Sequence, residues 1–190
     1  MVKIYVVDNG GQWTHREWRT LRDIGVDTKI VPNTASFEEI VKDDIDGLVL
    51  SGGAPRIAIE GSLGNCGEYL DKAVFPVLGI CAGHQFMAKF FGGEAKPSKV
   101  PEFGKMELTI TKQDTIFDGV PEKSIVWLSH NDEVTKLPND FELLAESENC
   151  KIQAMKHNKK SFYGLQFHPE VEHTEYGEQI FKNFVKMCER

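Results

Sequence analysis

Residues 76–91 read PVLGICAGHQFMAKFF, and this stretch limits the fold more than any other. The apolar run VLGI has the length and composition of a buried strand, and HQFMAKFF reads as the helix that follows it. Between them, Gly79-Ile80-Cys81-Ala82-Gly83 spells G-x-C-x-G at a strand-to-helix turn. That is the layout of a nucleophile elbow with cysteine in place of serine. Glycines on both sides let the backbone turn sharply and pack closely while the thiol stands clear at the tip. The same residues also fit a buried structural cysteine beside capping glycines, and this stretch alone leaves both readings open.

A strand that runs straight into a helix asks for βαβ units, and the first half of the chain supplies them. Lys3–Val7, Lys29–Val31, Gly47–Leu50 and Val77–Ile80 read as strands. Helical stretches fall at Gln12–Ile24, Ser36–Val41, Gly67–Ala73 and Gln85–Phe91. This alternation implies an α/β fold, a mostly parallel central sheet with helices on both faces. Ligands in such sheets bind beyond the carboxyl ends of the strands, where SGGAP (51–55) and the Cys81 elbow both lie. The second half is a smaller antiparallel region. Its strands are Met106–Thr111, Ile125–Leu128, Glu142–Ala145, Ile152–Lys156 and Phe162–Phe167, with a hairpin turn at HNKK (157–160). A closing helix, Tyr176–Cys188, carries Ile180, Phe181, Phe184, Val185 and Cys188 as an apolar stripe. With no repeat, linker or low-complexity tract, residues 1–190 read as one domain.

Bulk properties narrow the function. A formal charge of −7 argues against a nucleic-acid surface. No apolar run reaches membrane-spanning length and MVKIYVVDNG is a strand start, so the expected setting is the cytoplasm, with no membrane partner. Four cysteines (66, 81, 150 and 188) without CxxC pairing argue against structural zinc or a disulfide framework, and no metal site is expected.

Cys81 as a nucleophile needs a base. His168 ends the apolar strand YGLQF and is followed by Pro169 and Glu170. Proline stops the strand and fixes the chain direction, so His168 and Glu170 can share one space: nucleophile, base and orienter. A strand-end histidine beside an exposed acid is the plainer reading of HPE. In SGGAP, Gly52 and Gly53 allow a backbone N–H to face a ligand, and Ala82 N–H after the nucleophile is a second oxyanion donor. An ordinary turn fits SGGAP as well. His84, at the helix start, fits local packing, and Thr174 is a candidate cap for the last helix.

GICAGHQ, SGGAP and QFHPE, in this order and separation, resemble the class I (triad) glutamine amidotransferases over nearly the whole chain. The resemblance implies a flavodoxin-like sheet and a Cys81–His168–Glu170 triad that hydrolyses the side-chain amide of L-glutamine. It implies an oxyanion hole from the Gly53 and Ala82 backbone, with Gln85 holding the substrate. FGKMEL (103–108), VWLSHNDEV (126–134) and YGLQFHPEVEHTEYGEQI (163–180) resemble the glutaminase part of GMP synthetases. By that resemblance Gly104 and the backbone at Ser129, His130 and Asn131 line the glutamine pocket, and Lys99–Gly104 and Ser129–Asp132 read as loops beside it. SGGAP departs from the usual SGGP, which leaves the choice between Gly52 and Gly53 open, and AGHQ stands where fused relatives have YGMQ.

The sequence has neither GxxxxGK[ST] nor an SGGxDS-like loop. The chain therefore reads as a free-standing glutaminase subunit without a cofactor of its own. ATP and Mg²⁺ then belong to a separate ATP-pyrophosphatase partner that aminates XMP. Another Cys-His-Glu hydrolase or amidotransferase of this fold, such as a peptidase or γ-glutamyl hydrolase, and a non-enzymatic regulatory module are the rival readings. Retention of all three triad residues argues against the last.

Overall fold

The computed structural model describes residues 1–189; Arg190, the last residue of the expected domain, lies outside them. The elements are β1 Lys3–Asn9, α1 Thr14–Asp23, β2 Asp27–Pro32, α2 Phe37–Val41, β3 Gly47–Gly53 and α3 Cys66–Lys72. They continue as β4 Val77–Ile80, α4 Ala82–Phe90, β5 Glu94–Ile110, β6 Lys123–Lys136 and β7 Phe141–Glu146. The last three are β8 Ala154–His157, β9 Phe162–Leu165 and α5 Gly177–Cys188. A short 3₁₀ turn, Thr115–Phe117, precedes β6. No helix among the described residues is long and apolar enough to cross a membrane.

Among the described residues the nine strands form one sheet in the order β2-β1-β3-β4-β9-β8-β7-β5-β6. β2, β1, β3, β4 and β9 are mutually parallel. From β9 outward the pairing is antiparallel, so the two halves of the chain share one continuous sheet. Alternate side chains of β1 separate onto the two faces: Ile4 and Val6 join Leu21 of α1 and Phe181 and Phe184 of α5. Tyr5 and Val7 join Ile40 of α2, Tyr69 of α3 and Met87 of α4. A strand covered on both faces must be apolar throughout, as all four residues of β4 are. Burying Phe181 and Phe184 completely contributes about 1.5–3 kcal/mol each.

Most elements lie where the sequence places them, and the departures have local causes. α1 begins at Thr14, not Gln12, because Gly10 turns the chain with φ 78° first. α2 starts after Ser36, which forms a capping box with Glu39. α4 starts at Ala82, three residues before the expected Gln85, immediately after the elbow. β9 stops at Leu165, before Gln166 and Phe167. β8 starts at Ala154, after Ile152, and the turn at 157–160 joins it to β9.

β5 and β6 are far longer than their expected cores and pair as a ribbon, with Phe103 opposite Ser129 and Glu102 opposite His130. Lys99–Gly104 and Ser129–Asp132, read as loops, are therefore strand. Pro97, Pro101 and Gly104 hid β5 by interrupting its alternation, and the ribbon absorbs the prolines where its register shifts, between Pro97 and Glu102.

The glycines of the elbow set how close α4 comes to the sheet. A Cβ on Gly83 would stand well inside contact distance of the Leu50 carbonyl on β3, and one on Gly79 would meet Gly83 C and O at 2.8 Å. Gly83→Ala should therefore cost on the order of 1–3 kcal/mol by overpacking against backbone. Gly67→Ala is the control, because a Cβ there meets only Phe86 and Phe90 rings at 3.6 Å or more. The denaturant midpoint should fall for the first variant and hold or rise for the second.

Candidate active site

Four parallel strands end at one edge of the sheet, and the segments leaving those ends build the site. β1 leads into Gly10–Trp13, β3 ends in Gly52 and Gly53, β4 runs into Cys81, and β9 leads through Gln166 and Phe167 to His168. This is the edge at which open α/β sheets bind ligands. Cys81 has φ 51° and ψ −105°, a strained backbone for a residue with a side chain, and its N–H donates to Leu165 O at 2.8 Å. A non-glycine residue there costs about 1–3 kcal/mol and persists only where its surroundings hold it.

The HPE segment is fixed from two sides. His168 N–H donates to Trp127 O (2.9 Å), and Thr174 Oγ1 donates to His168 O (2.6 Å) while accepting from Trp127 N–H (2.9 Å). Thr174 thus ties the turn to β6 and does not cap α5, whose N-cap is Tyr176 in the left-handed region. A Cβ on Gly177 would collide with Pro169 O, so the turn rests directly on the start of α5. Those contacts account for the Thr and Gly of HPEVEHTEYG.

Cys81, His168 and Glu170 are brought together, each no more than 9% exposed. His168 Nδ1 lies 2.6 Å from Glu170 Oε1, and its Nε2 is buried without a hydrogen-bond partner. Burial alone lowers the imidazole pKa, but Glu170 and a charged Cys81 outweigh it, and the ring is held well above its ordinary value. An imidazolium is therefore the favoured state of the ring. The edge of Trp13 packs on His168 with centroids 4.6 Å apart. Burial pushes the other thiols up, Cys66 to about 12, and leaves them inert.

Cys81 sits where two cavities meet. One, of about 250 Å³, is lined by Trp13, Glu17, Gly52, Cys81, His168 and Glu170. The other, of about 110 Å³, is lined by Gly53, Ala82, Gln85, Ser129, His130 and Asn131. Each is below the roughly 300–1,000 Å³ of drug-sized ligand sites, which suits an amino acid better than a nucleotide. The Arg56 guanidinium pairs with the buried Asp132 carboxylate and closes one side of the smaller cavity.

The expected binding residues divide. Ser129 O faces Cys81 Sγ at 3.8 Å, and Asn131 borders the smaller cavity. Gln85 is only 4% exposed, and its amide donates to Asp132 O (2.7 Å) and Gln166 Oε1 (3.0 Å). It shapes the pocket through those groups. Gly104, opposite Leu128 on the ribbon, is not among the residues lining either cavity; its neighbour Phe103 is. The His130 ring points into a buried polar cluster, with Nε2 2.7 Å from Glu102 Oε2 and Nδ1 2.8 Å from Asp132 O. Glu102, His130 and Cys150 offer donor atoms within 4.8 Å of one another. Glu102 already accepts from Ser147 and Gln153, and burial raises the Cys150 thiol, so these residues form a hydrogen-bond network with no donor set free for a cation. His84, pushed down to about 3 by burial, is neutral, donates from Nε2 to Ile152 O and packs on Gly164.

Three residues near the thiol escaped sequence reasoning. Gln166 donates to Cys81 Sγ at 3.6 Å, and its signal was one amide within an apolar strand. Trp13 packs edge-on against the His168 ring. Glu17 lies on the same face of α1 as Leu21 and is 1% exposed, and an acid on that stripe was the signal for it.

Known proteins share this chain's sequence and fold. The glutamine amidotransferase class-I profile matches residues 5–188. A Thermoplasma acidophilum protein, named as the A subunit of glutamine-hydrolyzing GMP synthase, is 54% identical over 189 residues, 99% of this chain and 94% of that protein. A Pyrococcus abyssi protein of the same name is 50% identical over 185 residues, 97% of this chain and 98% of its own. The crystal structure of a GMP synthase A-subunit protein from Thermoplasma acidophilum superposes with a TM-score of 0.93 at 54% identity, covering 99% of this chain and 94% of that one. A Thermotoga maritima glutamine amidotransferase shares the fold at 21% identity, with a TM-score of 0.75 over 97% of this chain and 81% of its own. A thiol on a strained elbow, a buried His–Glu pair beside it and a family match along almost the entire length agree: the chain belongs to the class-I glutamine amidotransferases.

Proposed function

We propose that this chain is the glutaminase subunit of a GMP synthetase, releasing ammonia from L-glutamine through Cys81. The observation that carries the reading is the buried His168–Glu170 pair beside the Cys81 elbow, in a chain whose relatives, named as the A subunit of GMP synthase, match over nearly their full length.

The chemistry is acyl transfer. Cys81 Sγ attacks the side-chain carboxamide carbon, and the C=O electrons move onto oxygen. The backbone amide of Ala82, at the start of α4, is one donor for that oxyanion. Gly53 is favoured over Gly52 as the other. Gly52 N–H is directed at Glu17 Oε1 (3.4 Å), and Gly52 O accepts from Ser51 Oγ (2.9 Å). Among the described residues no peptide is cis, so Gly53 N–H points away from the Gly52 carbonyl oxygen. His168 Nε2–H then gives its proton to the leaving nitrogen, the C–N bond breaks and ammonia departs. Water attacks the thioester as Nε2 takes back a proton, and glutamate leaves with the thiolate restored. Glu170 holds the ring in orientation and stabilises its charged form.

The ammonia serves a separate ATP-pyrophosphatase subunit, which holds ATP and Mg²⁺ and aminates XMP in the cytoplasm. Glutamine hydrolysis without that acceptor would be wasteful, so the isolated chain should turn over slowly and the loaded partner should favour the competent geometry. Displacing one oxyanion donor costs about 10²–10³-fold in rate, sufficient for such control. Glutamate release should be low for the chain alone, and should rise when the partner is added and again when XMP and Mg-ATP join it; equal rates in all three mixtures would mean a stand-alone glutaminase. A chloroketone analogue of glutamine should alkylate Cys81 and spare Cys66, Cys150 and Cys188. Mass mapping that placed the adduct chiefly on one of those three would contradict the assignment.

A further inference from the structure

Glu17 is a buried carboxyl group in the same cavity as the triad, and the acyl-transfer steps make no use of it. It is 1% exposed and lines the larger cavity with Cys81, His168 and Glu170. Oε1 accepts from Gly52 N–H at 3.4 Å, while Oε2 is buried with no hydrogen-bond partner. Gly52 is the residue packed against the reacting pair: a Cβ there would stand 3.2 Å from His168 Cε1 and 3.6 Å from Cys81 Cβ. The next residue, Gly53, supplies the oxyanion donor. Glu17 Oε1 thus contacts the Ser51–Gly52 peptide, the one immediately before the peptide that carries Gly53 N–H.

We propose, resting on the glutaminase reading above, that Glu17 is a positioning residue: as a neutral carboxylic acid it holds the Gly52 amide, and with it the 52–54 turn, in register with Cys81 and His168. The balance of the groups around it favours the neutral form. Glu17 comes from α1, Gly52 from β3, Cys81 from the elbow after β4, and His168 and Glu170 from the turn after β9. Burial, then the charge of Glu170, raise its pKa well above the ordinary carboxylate range; Cys81 adds to this, while His168 and the Gly52 bond oppose it. Glu17 Oε2 and Glu170 Oε2 are both buried without a hydrogen-bond partner, and both residues line the same cavity.

Ionising Glu17 would set a second carboxylate near the oxyanion site and beside His168. That charge repels the developing oxyanion and strengthens the hold of the imidazolium on the proton it must release. Activity should therefore fall as pH rises through the Glu17 pKa. Stability follows the same sign. A carboxyl whose folded pKa is raised binds a proton that the unfolded chain has lost, so its penalty appears above the unfolded value and grows until the folded value is passed.

The test compares the wild type, Glu17→Gln and Glu17→Ala, each with the XMP- and Mg-ATP-loaded partner, by glutamate release against pH. Gln keeps an acceptor for Gly52 N–H and cannot ionise. It should retain kcat at low and neutral pH within about threefold, lose the alkaline fall, and unfold at higher temperature than the wild type only above the carboxylate range. Ala leaves the turn unanchored and should lower kcat by about 10²-fold, the cost of a misplaced catalytic group, with KM little changed. The infrared band of a protonated carboxyl in the wild type should vanish in Glu17→Gln. An active wild type with Gln as impaired as Ala, or with an unchanged pH profile and infrared band in Gln, would overturn the role of Glu17 alone. A wild type that releases no glutamate with its loaded partner would overturn the glutaminase reading, and this role with it.

Discussion

The backbone of Cys81 is held at φ 51°, a conformation that side chains rarely adopt, and much of the surrounding architecture exists to hold it there. The strain projects the thiol from the strand-to-helix turn into the junction of two cavities. Keeping it requires α4 to approach β3 and β4 more closely than side chains would permit, which is the work of Gly79 and Gly83. The buried strands beneath, apolar on both faces, supply the rigidity that resists relaxation of the turn. Strain of about 1–3 kcal/mol is small beside what that core contributes, and it remains because no low-cost rearrangement is open to it.

Charge is the second organising element, and it depends on the first. The elbow delivers one ionisable group to a space already occupied by His168, Glu170 and Glu17, all nearly excluded from water. In so enclosed a space the protonation states cannot be independent. Burial and the charge of Glu170 push the Glu17 carboxyl well above the ordinary carboxylate range, so a second ionised carboxylate in this space is disfavoured. The Glu102–His130 pair is a separate network, buried beneath the ribbon that walls the smaller cavity, and its contacts hold the backbone of residues 130–132 in place.

The parallel half of the fold and the grouping of Cys81, His168 and Glu170 were legible because their signals are local. VLGI followed by a helix, glycines bracketing one cysteine, and a proline fixing the chain after His168 all act within a few residues. The features that escaped depended on distant partners. β5 was obscured because Pro97, Pro101 and Gly104 break its alternation, and only pairing with β6 makes it a strand. His130 carried a pocket motif, yet its ring answers to Glu102, 28 residues earlier in the chain. Gly104 stands in the expected motif but one position along the strand from the residue that lines the cavity. Glu17 looked like an ordinary helix acid because its partner is the Gly52 amide, 35 residues away.

The central claim is that Cys81 performs the glutamine half-reaction and nothing else in the complex depends on its thiol. Assaying GMP formation by the Cys81→Ala chain with its partner, first with glutamine and then with ammonium salt as nitrogen donor, tests it most directly. The account predicts loss of glutamine-driven synthesis with ammonium-driven synthesis retained near the wild-type rate. Retained glutamine-driven synthesis, or loss of both reactions in a variant that still folds and binds its partner, would contradict it.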